Sequence, residues 1–223
     1  MSLNWKGARR VERTPLEGEL VRLEPIDPGR HARDLFEASR RADDIWAYLA
    51  YGPFDSVQTF TDWLQARAAS TDPLFYAVVD RQARAARGMA SYLRIAPADG
   101  VIEIGHIWFA PVLQRTRQAT EAIFLLARHA FDDLGYRRLE WKCDSLNAPS
   151  RRAAERFGFS YEGIFRQHMV IKDRNRDTAW FSIIDTEWPS RRVAFEQWLA
   201  PANFDGDGKQ RRSLAEIRGE LPA

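Results

Sequence analysis

Four sites in the chain carry residues whose types and spacing could do chemistry. Glu103 lies inside the apolar run VIEIGHIWF, residues 101–109. A carboxylate in such a run needs a partner or a cleft, and burial raises its pKa toward the range of a general base. His106 follows three residues later as a second titratable group. Arg115 and Arg117 sit where a long amphipathic stretch begins. A helix N-terminus carries about half a positive charge and disfavours cations there by about 0.3–1 kcal/mol each. A bound anion reverses that balance, because free N–H groups and the helix dipole form an anion pocket. Asn147, with Ser150 three residues on, opens another helix, and asparagine is a strong N-cap. Plainer roles stay open for each: solvated loop arginines, a sheet-edge glutamate paired with an arginine, a structural histidine, a cap and a first-turn serine.

These residues need a scaffold, and the chain is long enough for one. Its 223 residues bound it to one large domain with appendages, or two small ones. A formal charge of +2 argues against a general polyanion binder, so no nucleic-acid partner is expected. The single cysteine excludes an internal disulfide and a cysteine-rich zinc site, and fits a reducing, cytoplasmic compartment. Cys143 shares a strand face with Leu139 and Trp141 and is expected to point into the core. No metal is expected: the histidines lack ligand spacing, and DGDG near the end lacks the downstream ligands of a calcium loop. No apolar run approaches the ~18 residues of a membrane span, and the start has no signal-peptide core. Residues 1–3 have the look of an expression remnant.

Hydrophobic period gives the elements. Residues 18–26 read as a strand, 28–41 as a helix opened by Pro28, 43–54 as a short helix, and 56–70 as a helix capped by Ser56. Strands follow at 74–80, 88–96 and 101–109, joined by hairpin connections. A helix at about 116–134 stops at Gly135, a strand covers 137–145, and a short helix runs from Asn147 to Gly158. Strands at 159–171 and 178–188 close the domain around the turn KDRNRD. The strand–helix–strand unit around residue 116 predicts a crossover between two parallel strands. The whole reads as one α/β (α+β) domain with a mixed, mostly antiparallel sheet, a central parallel pair, and helices on both faces. It spans 16–188, after an extension (1–15) and before a helix (189–199) with a mobile tail reaching 223.

This order of elements resembles the GNAT superfamily of acyl-CoA-dependent N-acetyltransferases, in the branch of the ribosomal-protein N-terminal acetyltransferases (RimJ/RimL-like). Three segments carry the resemblance: IEIGHIWFAPVLQRTRQATEA (102–122), NAPSRRAAERFGFSYEGIFR (147–166) and RDTAWFSII (176–184). The first departs from the family pattern, with Arg117 standing where a glycine is expected. The resemblance implies acetyl-CoA as cosubstrate, with its phosphates on the loop of Gln114, Arg115, Thr116, Arg117, Gln118, Ala119 and Thr120. It also implies a splayed parallel pair, leaving main-chain groups of Ile107, Trp108 and Phe109 as pantetheine and oxyanion partners. Asn147 would bind the pantetheine, Arg152 (or Arg151) the phosphates, and Ser150 would protonate the leaving thiolate. A strand bulge would bring Glu103 and His106 toward one cleft, with Trp46, Tyr48, Tyr51 and Trp63 toward the acceptor.

The expected activity is transfer of an acetyl group to a primary amine by direct attack in a ternary complex. The missing glycine leaves a non-catalytic acyl-CoA-binding or regulatory module as the alternative. The acceptor, a small molecule or peptide amine, and the choice between monomer and homodimer are not legible in the sequence.

Overall fold

The computed structural model describes residues 4–222; the remnant read at residues 1–3 lies outside them. Eight strands form one sheet in the order β1-β2-β3-β4-β5-β6-β8-β7. The expected first strand is a hairpin, β1 (Leu16–Glu17) and β2 (Val21–Pro25). Helices α1 (Pro28–Ser39) and α2 (Val57–Ala68) follow, with only a short 3-10 turn at Asp43–Trp46 where a helix was expected. Ser56 caps α2 as read from the sequence, through a reciprocal capping box with Thr59. Then come β3 (Leu74–Asp80), β4 (Ala85–Ala96) and β5 (Val101–Phe109).

Helix α3 (Arg117–Arg128) is capped by Thr116 and continues into a π-helical turn, His129–Asp133. It crosses over to β6 (Arg138–Asp144), which pairs with β5 in parallel; every other pairing in the sheet is antiparallel. Helix α4 (Ala148–Phe157) runs between Asn147 and Gly158, the latter at φ 92°, where glycine is favoured. The closing hairpin is β7 (Ser160–Ile171) and β8 (Arg174–Ile184). Its turn is only Lys172–Asp173, both at positive φ, so residues 174–177 extend β8 where the sequence had suggested a longer turn.

Strand alternation splits the core. On β3, Phe75 and Ala77 join Leu35, Phe60, Leu64, Met89 and Trp108 under α1 and α2. Tyr76 and Val78 point oppositely, to a larger cluster with α3, α4, α5 (Trp188–Leu199) and α6 (Leu214–Gly219). The expectation of a mobile tail is therefore corrected. Leu214 and Ile217 are buried, Ser213 and Glu216 form a capping box, and Arg218 donates to the Glu155 and Arg156 carbonyls at the end of α4. Two apolar residues at helical spacing were enough to dock a segment whose composition looked solvated. No helix among the described residues is long and apolar enough to cross a membrane.

Candidate active site

Strands β5 and β6 pair only from Val101↔Arg138 to Ile104↔Trp141. Beyond that point β5 stays with β4 as far as Phe109, and β6 stays with β8 as far as Asp144. The sheet thus opens into a V, and one backbone edge of residues 105–109 faces the gap without a neighbouring strand. A bulge aids the opening. Between Met89↔Trp108 and Ser91↔Gly105, one residue of β4 opposes two of β5, and His106 takes φ 50°.

The loop after β5 leads to the start of α3. Gln114 Nε2 donates to the Phe109 carbonyl at 2.9 Å, folding the loop back on the strand. Arg115 adopts φ 62°. Thr116 accepts from the Ala119 N–H at 3.1 Å, and the Thr120 N–H returns to the Thr116 carbonyl. The N–H groups of Arg115, Thr116, Arg117 and Gln118 have no acceptor among the described residues. Four successive free donors at a helix mouth make an anion nest.

The predicted loop residues divide accordingly. Residues 115–118 offer backbone donors, whereas Ala119 and Thr120 are buried, their N–H groups engaged. The Thr120 hydroxyl accepts from Arg156. The Arg117 side chain turns away from the nest: Nη2 donates to the Leu199 carbonyl at 2.8 Å, and the guanidinium lies 4.1 Å over the Phe204 ring. It ties α3 to the C-terminal segment. Arg115 is exposed, as is Arg152 on α4. A cleft of about 460 Å³ beside Arg117, Glu121 and Arg128 lies between α3, the β1–β2 turn and the end of α5, with no residue of β5 or β6 in its lining.

Glu103 lies below the opening on the α1/α2 face and is 5% exposed. Lys142 Nζ stands 2.9 Å and Arg94 Nε 3.2 Å from its Oε2. Burial raises its pKa above the usual carboxylate range, against the opposing pull of Lys142. His106 is on the same face but apart from Glu103 in its contacts. Its ring stacks on Tyr51 at 5.7 Å and meets Phe75 at 5.0 Å. Burial, then the charges of Arg67 and Arg176, push its pKa down to about 4. It is therefore neutral at neutral pH and the weaker base of the two.

That shift has a consequence for stability. Unfolded, His106 takes up its proton near 6.5; folded, it resists to about 4. Between these values the unfolded state binds more protons, so stability is complete above the higher value and falls as pH drops toward the lower. The loss should reach about 3 kcal/mol. His106→Asn, which tolerates the left-handed backbone, should flatten the fall in melting temperature measured from pH 7 to pH 4.5; an unchanged slope would assign it elsewhere.

On the far arm of the V, Asn147 Oδ1 accepts from the Ser150 N–H at 3.1 Å. Ser150 Oγ accepts from Trp141 Nε1 at 3.0 Å. An indole nitrogen only donates, so the Ser150 proton is left to point elsewhere. Cys143 is buried and its thiol is pushed up by that burial, which makes it a poor nucleophile. Of the aromatic residues, Tyr51 and Trp63 pack together at 4.3 Å beside His106, whereas Trp46 is core. Tyr48 donates to the Leu146 carbonyl, and Lys172 donates to the Trp46 and Gly52 carbonyls, so the 46–52 loop is tied to both the 144–147 loop and the β7–β8 turn.

Sequence reasoning missed Lys142, Arg94, Arg67 and Arg176. Neighbouring positions on β6 put Lys142 on the face opposite Cys143, but what faces it depends on pairing across β5, β6 and β8.

The comparisons with known proteins agree with this geometry. Residues 21–160 match the family described as Acetyltransferase (GNAT) domain. A crystal structure of a GCN5-related N-acetyltransferase from Brucella melitensis is 50% identical, covering 97% of this chain and 99% of that one, with a TM-score of 0.95. A Bacillus subtilis (strain 168) protein named "Putative ribosomal N-acetyltransferase YdaF" is 26% identical over 175 residues, 76% of this chain and 92% of its own. The microcin C7 self-immunity acetyltransferase MccE, solved with acetyl-CoA and AMP, shares the fold at 19% identity and a TM-score of 0.68, covering 77% of this chain and 98% of its own. The V between β5 and β6, the open nest at α3 and the match over residues 21–160 place this chain in the GNAT acetyltransferase family.

Proposed function

We propose that the protein is an acetyl-CoA-dependent N-acetyltransferase that moves the acetyl group to a primary amine by direct attack in a ternary complex. The observation that carries this reading is the presence of two open backbone features joined by one short loop, the donor nest at 115–118 and the unpaired edge of 105–109. The nest suits a pyrophosphate, and the edge suits the amide groups of a pantetheine arm. MccE, with the same fold, was solved with acetyl-CoA. Arg117 turns its side chain away and leaves the nest open, which supports cofactor binding although a glycine is missing at that position.

In this reading Glu103 removes the proton of the attacking amine, directly or through water, since burial makes it the stronger base. Backbone N–H groups near the bulge stabilise the developing oxyanion. Ser150, with Trp141 holding one lone pair, gives its proton to the departing thiolate and regains one from solvent, while the amine proton leaves through Glu103. No enzyme-bound acyl intermediate is needed, in keeping with the buried Cys143.

Thiol release from acetyl-CoA should depend on an added amine, and calorimetry should register coenzyme A binding. Ribosomal-protein N-terminal peptides belong in the amine panel, given the name of the Bacillus relative. Saturable coenzyme A binding with no turnover across the panel would favour the binding-only module. Ser150→Ala should lower kcat about tenfold with little change in KM for acetyl-CoA, and Ser150→Thr should restore much of it. A loss confined to KM would remove Ser150 as the acid.

A further inference from the structure

Glu103 and Glu140 are register partners on the parallel strands β5 and β6, and both are buried. Two carboxylates sharing a site cannot both ionise freely, so one of them holds a proton to higher pH. A buried cation stands between these two. Lys142, two residues beyond Glu140, sets Nζ 2.9 Å from Glu103 Oε2 and 2.5 Å from Glu140 Oε2. Its side chain is 4% exposed, and Nζ lies 3.8 Å from the centre of the Trp180 ring. Arg94 of β4 meets Glu103 Oε2 at 3.2 Å, and Arg138 meets Glu140 at 2.8 Å and also holds Glu162 of β7. The other ionisable groups around this face are engaged elsewhere: Arg176 and His168 with Thr178, and Arg67 with the Trp63 carbonyl.

Lys142 and Arg94 both approach Glu103 at Oε2. Oε1 lies toward Gly105, where an added Cβ would come within 3.5 Å of it. Gly105 begins the unpaired edge of β5, so Oε1 is the oxygen at the V. Burial raises the Glu103 pKa, Lys142 and then Arg94 lower it, and Glu140 raises it, in the senses the geometry requires.

We propose that Lys142 is a positioning residue of the transfer step: it fixes Glu103 through Oε2, leaves Oε1 to take the amine proton, and keeps Glu103 from sharing a proton with Glu140. This rests on the acetyltransferase reading with Glu103 as base, and adds how that base is kept ready. Without the ammonium, the two carboxylates titrate as a coupled pair that holds one proton to higher pH. A base that already carries a proton cannot accept the one from the attacking amine.

The test titrates the Glu103 carboxyl directly, by NMR of protein carrying isotopically labelled glutamate carboxyls, its signal assigned through E103Q. In K142M the midpoint should rise by about one pH unit or more. K142R should restore most of the original value. K142M/E140Q should also bring the midpoint back down, because the competing carboxylate is gone. The acidic limb of kcat, measured with whichever amine of the panel reacts fastest, should follow the same order. The plateau above that limb should fall by less than about tenfold in K142M, short of the loss of the base itself. An unmoved midpoint in K142M overturns the proposal, and so does a rise that persists in K142M/E140Q. Should K142M fail to fold, E140Q decides: removing the like charge should lower the Glu103 midpoint, and an unmoved one overturns the proposal. A midpoint that moves while the kcat limb stays in place overturns the role in transfer and leaves acetyl transfer standing with another base. If no amine releases thiol, the acetyltransferase reading is what fails, and the NMR midpoints still decide whether Lys142 keeps the two carboxylates apart.

Discussion

Glu103→Gln is expected to lower kcat about a hundredfold, in the range set by removing a general base, while leaving the affinity for coenzyme A nearly unchanged. The substitution keeps the side-chain shape on β5 and removes only the basic oxygen. Lys142 keeps Glu140 as its partner, so the buried ammonium is not orphaned. The nest at 115–118 lies beyond the open end of the strand and should not feel the change. The pH profile adds a second readout. The base must be deprotonated to act, so the acidic limb of kcat reflects a carboxyl whose pKa burial has raised. Activity should rise with pH through a midpoint above the ordinary carboxylate range, and in Glu103→Gln that limb should vanish. A variant with near-normal kcat and an intact acidic limb would pass the role of base to another group.

The largest loss of stability should follow Glu121→Ala, about 4 kcal/mol, or about 10 °C in melting temperature for a domain of this size. Glu121 is buried on α3, and its carboxylate accepts from three consecutive N–H groups of the β1–β2 turn: Glu19 at 2.9 Å, Leu20 at 2.7 Å and Val21 at 2.7 Å. Gly18 completes the contact, since a Cβ there would meet Glu121 Oε2 at 2.5 Å. Alanine removes three charge-assisted bonds and leaves three backbone donors to find water. Glu121→Gln retains one acceptor oxygen and should fall between the two. Thermal unfolding followed by circular dichroism checks this order, and a loss under about 1 kcal/mol for alanine would mean that water replaces the carboxylate at little cost.

Local chemistry in the chain was enough to determine much of this protein. Alternating apolar runs gave the strands, a 3.6-residue period gave α3, and Ser56, Asn147 and Gly158 marked helix ends because caps act on neighbours in sequence. Those signals also located the helix mouth at Thr116 and the titratable pair on β5. Partners distant in sequence were decided by the tertiary structure alone. Arg117 read as a phosphate ligand because it stands at the start of α3, yet it stacks on Phe204, which is brought there only by the docking of the C-terminal segment. Glu103 read as a base in a cleft or a carboxylate paired with an arginine; the sheet gives it Arg94, and only the pairing of β5, β6 and β8 adds Lys142. The V exists because β6 follows β8 while β5 follows β4. Periodicity fixes which way a side chain faces along its own strand, but which groups it meets is set by strand order and register, and these are settled by packing over the whole chain.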